Sequence, residues 1–396
     1  MPGRIEAVSW SGAQVPDLRA ITPMVWAKVS QGPAKEIAEG VTRKLRQRGA
    51  GFRVLHVFHP GRPGGLPDPI HGGDRVDRIL DGPAITRRHR SYYAELFGRI
   101  ADAGVTVDRL VLDYEGGVSL WQLGSGPQRA ERMARVLADR RARARLPAEV
   151  LETPAAKFAS SSAARSAYVA FNAWAASYRA EALRELVVAP AQAALGDRLL
   201  SSNYADTVPS FDVPDLNGWP IPAAMCGTDQ SPPLYLLEMG NRYKGREKQK
   251  RWNVFLDHIS HVRSCLAGLR EAGRGPESFV PWISRPGYVA FERFDGPWFL
   301  WTALIVHMLH AGVRRFILWN VDVQKGGVNG VGNRVATQRM DDAFDSLSGT
   351  FLLREAAEVP AEQVALDADS VTTGPLTTTY EDFLEHEPGP GRLGVW

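Results

Sequence analysis

The sequence predicts an α/β fold: a (β/α)8 TIM-like barrel with long loops on its catalytic face and a C-terminal appendage. Three observations predict it. Short apolar runs recur along the chain, segments of helical periodicity alternate with them, and glycines stand at the helix-to-strand returns. The 396 residues are long for one ordinary domain but normal for one α/β barrel with insertions. Hydrophobic residues make up 44% and charged residues 23%, a balance that buries a core of ordinary size.

The strand candidates are Met24–Val29, Phe52–His59, Arg109–Tyr114, Arg198–Tyr204, Leu234–Glu238, Phe279–Ile283 and Arg315–Trp319. An earlier run, Ile5–Trp10, is either an eighth strand or a lead-in. Near-continuous apolar runs of this length suit strands buried on both faces, as in a parallel barrel. The helix candidates are Ala34–Arg48 before Gly49-Ala50-Gly51, Thr86–Ala103 before Gly104, Arg165–Leu195 before Gly196, Arg246–Ala272 before Gly273, and Asp295–Ala311 before Gly312. Glycine after a periodic segment supplies the left-handed C-cap, and a strand follows after a short loop. This repetition indicates βα units. A doubly wound sheet is the rival, but no phosphate-binding glycine loop follows the first strand; Gly326–Asn333 (GGVNGVGN) reads as a loop at the barrel mouth.

Two irregular stretches, His59–Gly82 and Asp206–Pro233, are expected to shape a cleft, because loops after barrel strands lie on the catalytic face. Residues 1–347 are read as the barrel. Residues 348–396 are read as a truncated, β-rich C-terminal segment, with Val371–Tyr380 its strand-prone part.

Net charge is +3, so no global field points to nucleic acid. The arginine-rich stretch Arg129–Arg145, with Met133, Val136, Leu137 and Arg140 at helical spacing, reads as a solvated amphipathic helix; no aromatic residue interleaves it to stack bases. Cys226 and Cys265 belong to no metal-ligand pattern and read as two buried thiols. His56 and His59 fall on opposite strand faces, and the pairs His258/His261 and His307/His310 lack a third ligand, so they read as helix-surface histidines. No metal or other cofactor is expected. No run of signal-peptide or membrane-span length occurs, giving a cytoplasmic chain as presented, or a secreted or periplasmic one if an export segment has been removed.

The row that carries chemistry is VDRLVLDYEGG, Val107–Gly117. An apolar strand runs into Asp113-Tyr114-Glu115 and a Gly-Gly turn. Residues i and i+2 share a strand face, so Asp113 and Glu115 point the same way with Cα atoms roughly 6–7 Å apart. Two carboxylates held together split their pKa values, leaving one as a proton donor near neutrality while the other stays ionised. The bland alternative is a helix N-cap, which acidic residues at strand-to-helix junctions often supply.

Apolar strand, Asp-aromatic-Glu and turn together resemble the catalytic strand of hyaluronidase-type glycosidases and, more distantly, of chitinase-type barrels. Val280–Tyr288 (VPWISRPGY) is similar to the Pro-aromatic-x-x-Arg strand of hyaluronidases, and Arg314–Asn320 (RRFILWN) resembles that family's last strand. The resemblance covers about half the chain and rests on layout. It implies a substrate-assisted retaining mechanism. Glu115 would be the acid and then the base, and Asp113 would orient the substrate's 2-acetamido group, whose carbonyl oxygen attacks the anomeric carbon. It further implies that Trp319 floors the sugar site, with Asn320 beside it, and that a tyrosine hydroxyl holds the acetamido carbonyl; Tyr204 either fills that role or is a core tyrosine with its hydroxyl satisfied. The chain lacks the family's disulfide framework, and Gly116-Gly117 replaces a polar run.

Other readings stay open. Glu238 could be the second carboxylate of a conventional two-carboxylate glycosidase, or pair with Arg242. Trp26 and Trp282 could stack on sugars or fill the core. Arg285 could bind a carboxylated sugar or form a structural ion pair. A non-catalytic carbohydrate-binding barrel, and a metal-assisted enzyme on a non-sugar substrate, are the competitors from other classes.

Overall fold

The computed structural model describes residues 5–9, 19–29, 32–47, 52–58, 75–113, 126–160, 162–171, 174, 184–196, 199–203, 229–234, 247–271, 273–284, 298–319, 338, 340–349 and 363–386. In chain order the strands are β1 (Glu6–Ser9), β2 (Ile21–Val29), β3 (Phe52–Phe58), β4 (Arg109–Asp113), β5 (Leu199–Asn203), β6 (Asp229–Ser231), β7 (Pro233–Leu234), β8 (Trp282–Ser284), β9 (Arg315–Trp319), β10 (Val364–Leu366), β11 (Ser370–Thr373) and β12 (Leu376–Thr379). The helices are α1 (Ala34–Gln47), α2 (Arg75–Asp102), α3 (Gly126–Ala138), α4 (Arg140–Arg143), α5 (Ala148–Leu151), α6 (Ala189–Leu195), α7 (Glu247–Glu271), α8 (Trp298–His310), α9 (residues 340–349) and α10 (Tyr380–His386). The fold is mixed helix and strand. It divides into two compact units: Met1–Trp26, Ala50–Phe52 and Gln230–Trp396 form the first, and Ala27–Gly49 and Arg53–Asp229 the second.

In the first unit β1 lies between β2 and β9, parallel to both, with Ala7 level with Ile21 on one side and Phe316 on the other. β9 pairs in parallel with β8, and β8 with β7. Of the run Ile5–Trp10, Glu6–Ser9 is therefore a strand, and Trp10 lies outside the described residues. The expected strand Leu234–Glu238 starts earlier: residues 229–234 are extended with a break at Pro232, and residues 235–238 lie outside the described residues. Pro232-Pro233 looks like a breaker, but a proline lacks only the donor, and its carbonyl still pairs. Here Trp282 N–H donates to the Pro232 carbonyl at 2.9 Å, and Val280 N–H to that of Gln230 at 2.8 Å. The strand expected at Phe279–Ile283 is likewise shifted to Trp282–Ser284, with Phe279 in a parallel bridge to Gln230.

The glycine stops at Gly104, Gly196, Gly273 and Gly312 are where the sequence puts them, and Gly49-Ala50-Gly51 lies outside the described residues. After α7, Gly273 has φ 69°, its N–H donates to Arg270 and Arg274 N–H reaches back to Leu269 at 2.8 Å. After α8, Gly312 has φ 91° and Val313 N–H reaches Met308 at 2.9 Å. Both are the double-bonded termination that left-handed glycine permits. A Cβ at Gly273 would meet nothing within 4 Å, so Gly273→Ala should cost only backbone strain, about 1–2 kcal/mol. A shifted urea midpoint at unchanged slope checks this.

The described part of the C-terminal segment, residues 363–386, falls in the first unit. β10, β11 and β12 form an antiparallel meander, and a Thr379–Asp382 capping box starts α10. In that box the Asp382 carboxylate accepts from Thr379 N–H and Oγ1, which lowers its pKa. Fully buried Trp252 of α7 packs against Phe255, Tyr380 and Phe383 and donates its Nε1–H to the Ala368 carbonyl at 2.9 Å. α7 and α8 are thus covered by the meander and α10. His258, His261, His307 and His310 are buried, not helix-surface residues, and His307 lies against the meander. Cys265 is a buried free thiol, its pKa pushed up by burial, and Cys226 lies outside the described residues.

In the second unit β3, β4 and β5 form a parallel sheet in the order of sequence. Val54, Leu55 and Val57 of β3 and Leu110, Val111 and Leu112 of β4 are completely buried, so both faces of these strands are covered. α2 begins at Arg75 and runs through Gly82-Pro83, inside the stretch expected to be irregular; Val76, Ile79 and Leu80 already keep helical spacing. The helix expected over Arg165–Leu195 is broken. Residues 165–171 are helical, Arg184–Val188 widens into a π turn, and α6 follows with Pro190 in its first turn, where the missing N–H costs nothing.

The arginine-rich stretch forms α3 and α4, and its first arginine is not solvated. Arg129 is 5% exposed within a helical core of Met133, Val136, Leu146, Val150, Phe158 and Tyr168. Its guanidinium donates to the Tyr168 hydroxyl and lies 5.5 Å from that ring's centre. Burial raises the Tyr168 pKa, and the arginine opposes the rise. Removing one partner of a buried charged hydrogen bond strands the other. Arg129→Ala should therefore destabilise by about 3 kcal/mol, whereas Arg135→Ala on the exposed face should change stability by no more than ~0.5 kcal/mol. Thermal denaturation of the two variants makes the comparison.

Candidate functional site

The candidate site starts from β4. Its apolar residues Leu110, Val111 and Leu112 are completely buried, and the polar residue Asp113 follows them on the strand. In the ladder Asp113 is level with Phe58 of β3 and with Asn203 of β5. All three are the last described residues of their strands. Asp113 thus lies toward the C-terminal end of the central strand of the three, level with Phe58 and Asn203. That end is where ligands bind in parallel α/β architectures, because the strand-to-helix loops and the helix N-termini gather there. Glu115 and Tyr204 follow Asp113 and Asn203 by two residues and one residue in the sequence and lie outside the described residues.

Asn203 does not stand out in the sequence. Its signal is the run Leu199-Leu200, which turns polar at Ser201-Ser202-Asn203 just before Tyr204. His56, on β3 level with Val111, is buried, and His59 lies outside the described residues.

In the first unit a second strand-end edge forms from β8 and β9, where Ser284 is level with Trp319. Trp319 ends β9 as expected from the sequence; Arg285 and Asn320, the residues that follow these two ends, lie outside the described residues, as does Glu238. Trp282 is 1% exposed and sits level with Ile317 and Pro233, a core position that would have to be uncovered before the indole could stack on a ligand. Trp26 of β2 is half-buried.

Among the described residues no group of three or more His, Cys, Asp or Glu side chains could hold a metal ion. No helix among them is long and apolar enough to cross a membrane.

No protein-family model and no curated protein matches the chain. Among solved structures it is similar to a fungal β-1,4-galactanase at 11% identity, TM-score 0.40, over 82% of this chain and 92% of the galactanase. It is similar to endo-glycoceramidase II from Rhodococcus sp. at 9% identity, TM-score 0.41, over 94% and 84%. Bee venom hyaluronidase, solved with a hyaluronic acid tetramer, matches at 14% identity, TM-score 0.37, over 84% and 99%.

Proposed function

We propose that the protein is a glycoside hydrolase on a (β/α)8 barrel, cleaving a polysaccharide or oligosaccharide with retention and with help from the substrate's own 2-acetamido group. The observation that carries this reading is Asp113 on β4, the central strand between β3 and β5, with Tyr114-Glu115 next in the sequence. The barrel is supported by the position of β1 between β2 and β9, so that the first parallel strand neighbours the last. Pairing in sequence order through β3, β4 and β5 supports it too.

In this mechanism Glu115 protonates the glycosidic oxygen as the bond to the anomeric carbon breaks. The acetamido carbonyl oxygen attacks that carbon, and Asp113 accepts the amide N–H and stabilises the positive charge that develops on the ring so formed. Glu115, now a carboxylate, takes a proton from water, which opens the ring with retention. Tyr204 would donate to the acetamido group, and Trp282, a buried core residue, takes no part in stacking on the sugar. No cofactor takes part.

The test is incubation of the purified protein with paired glycans that carry or lack the 2-acetamido group, with new reducing ends measured. Cleavage of the acetylated member, with at least a ~100-fold loss on its 2-hydroxy counterpart, is expected when the internal nucleophile is removed. Equal cleavage of both members would replace the mechanism with a two-carboxylate one using Asp113 or Glu238. Binding without product would make the protein a carbohydrate-binding barrel. Neither binding nor cleavage would overturn the reading.

A further inference from the structure

One imidazole of α8 reaches two strands of the C-terminal meander. His307 is completely buried. Its Nδ1 lies 2.9 Å from Thr373 Oγ1 on β11, and its Nε2 lies 2.9 Å from Thr378 Oγ1 on β12. Thr373 and Thr378 are diagonal neighbours on the two strands, since Thr373 is level with Leu376 and Thr378 with Val371. One ring therefore spans both strands, and both hydroxyls are themselves buried. Phe255 of α7 closes the ring's surroundings at 6.3 Å.

We infer that His307 is a proton-sensitive latch: neutral, it holds the β10–β12 meander on α8, and protonation weakens that docking. A neutral imidazole fits the site because it offers one donor and one acceptor to two hydroxyls that can each do either. An imidazolium would carry an uncompensated charge into a place without water. The elements around it bear Asp257, His258 and His261 on α7 and Asp382 and His386 on α10. Among the described residues the group whose charge bears on His307 is His310, one turn on, and it is of the same sign. Burial first and His310 second pull the His307 pKa from 6.5 down to about 4.

With the meander undocked, His307 of α8 is an ordinary histidine that binds a proton below pH 6.5, and with it docked His307 does so only below about 4. Docking is therefore at full strength above pH 6.5 and weakens as pH falls through that window. The loss approaches tenfold per pH unit and about 300-fold in all.

The experiment is hydrogen exchange by mass spectrometry on the full chain between pH 7 and pH 4, corrected for intrinsic rates. Peptides of 364–379 are compared with those of β4. Protection of the meander should fall by at least 30-fold more than that of β4. In His307→Gln, whose amide donates and accepts without taking a proton, the extra fall should be absent. A meander that loses protection no faster than β4, or a Gln variant that loses it as the native chain does, would overturn the latch. Should the variant not fold, the ring-carbon NMR shift of His307 in the native chain decides. Titration near 4, coincident with loss of meander protection, supports the latch, and titration near 6.5 with the meander still docked overturns it.

Discussion

Glu115→Gln should cut turnover of the cleaved glycan by about 10²–10⁴-fold, the range that a positioned proton donor contributes, while leaving the thermal midpoint unchanged. The glutamine keeps the size of the side chain but has no proton to give to the leaving oxygen. The loss should therefore depend on how much that oxygen needs protonation. On an aryl glycoside with a nitrophenol leaving group the deficit should shrink, because the departing phenolate is stable without an acid. Asp113→Asn should behave differently. An amide cannot stabilise the positive charge that develops on the acetamido group, so its deficit should persist on the activated substrate. The contrast between leaving groups separates proton donor from orienting carboxylate, which equal losses would not. Full activity of both variants on both substrates would remove β4 from the chemistry.

How much of this was legible in the sequence depends on what fixes each feature. Strands buried on both faces write themselves as apolar runs, so β4 and β9 end at or within one residue of their expected limits. The stops at Gly104, Gly196, Gly273 and Gly312 were legible because a positive φ is a local demand that glycine meets best. Features decided by tertiary packing were not. Pro232-Pro233 reads as a break because the sequence does not show that a neighbouring strand needs only the carbonyl. Arg129 reads as solvated because its company, Phe158 and Tyr168, arrives about 30 to 40 residues later. His307 of α8 carries the spacing of a surface residue, and only Thr373 and Thr378 of the meander show otherwise. In the candidate site the position of Asp113 at a strand end was readable from LVLDYE; its level neighbour Asn203 needed the ladder.

The largest effect on stability is expected at Asp341, a completely buried carboxylate on α9. It accepts three consecutive backbone N–H groups at the entry to β2: Arg19 at 2.9 Å on Oδ2, and Ala20 at 2.8 Å and Ile21 at 2.9 Å on Oδ1. Successive N–H groups converging on one anion form the kind of backbone nest that binds carboxylates and phosphates. Asp341→Ala leaves Ile21 N–H buried without an acceptor and forfeits two further charge-assisted bonds, a cost of about 3–5 kcal/mol. Asp341→Asn should recover part of this. Its one carbonyl oxygen can still serve Ala20 and Ile21, but its amide would face the Arg19 N–H donor to donor. The nearby ion pairs of Arg19 with Asp342 (3.1 Å) and Asp345 (3.3 Å) have exposed side chains. Arg19→Ala should therefore cost less than ~1 kcal/mol. Urea denaturation should rank Asp341→Ala far below Asp341→Asn in stability, with Arg19→Ala near the native chain. If Arg19→Ala proved as damaging as Asp341→Ala, the surface ion pairs rather than the buried nest would be what holds the start of β2.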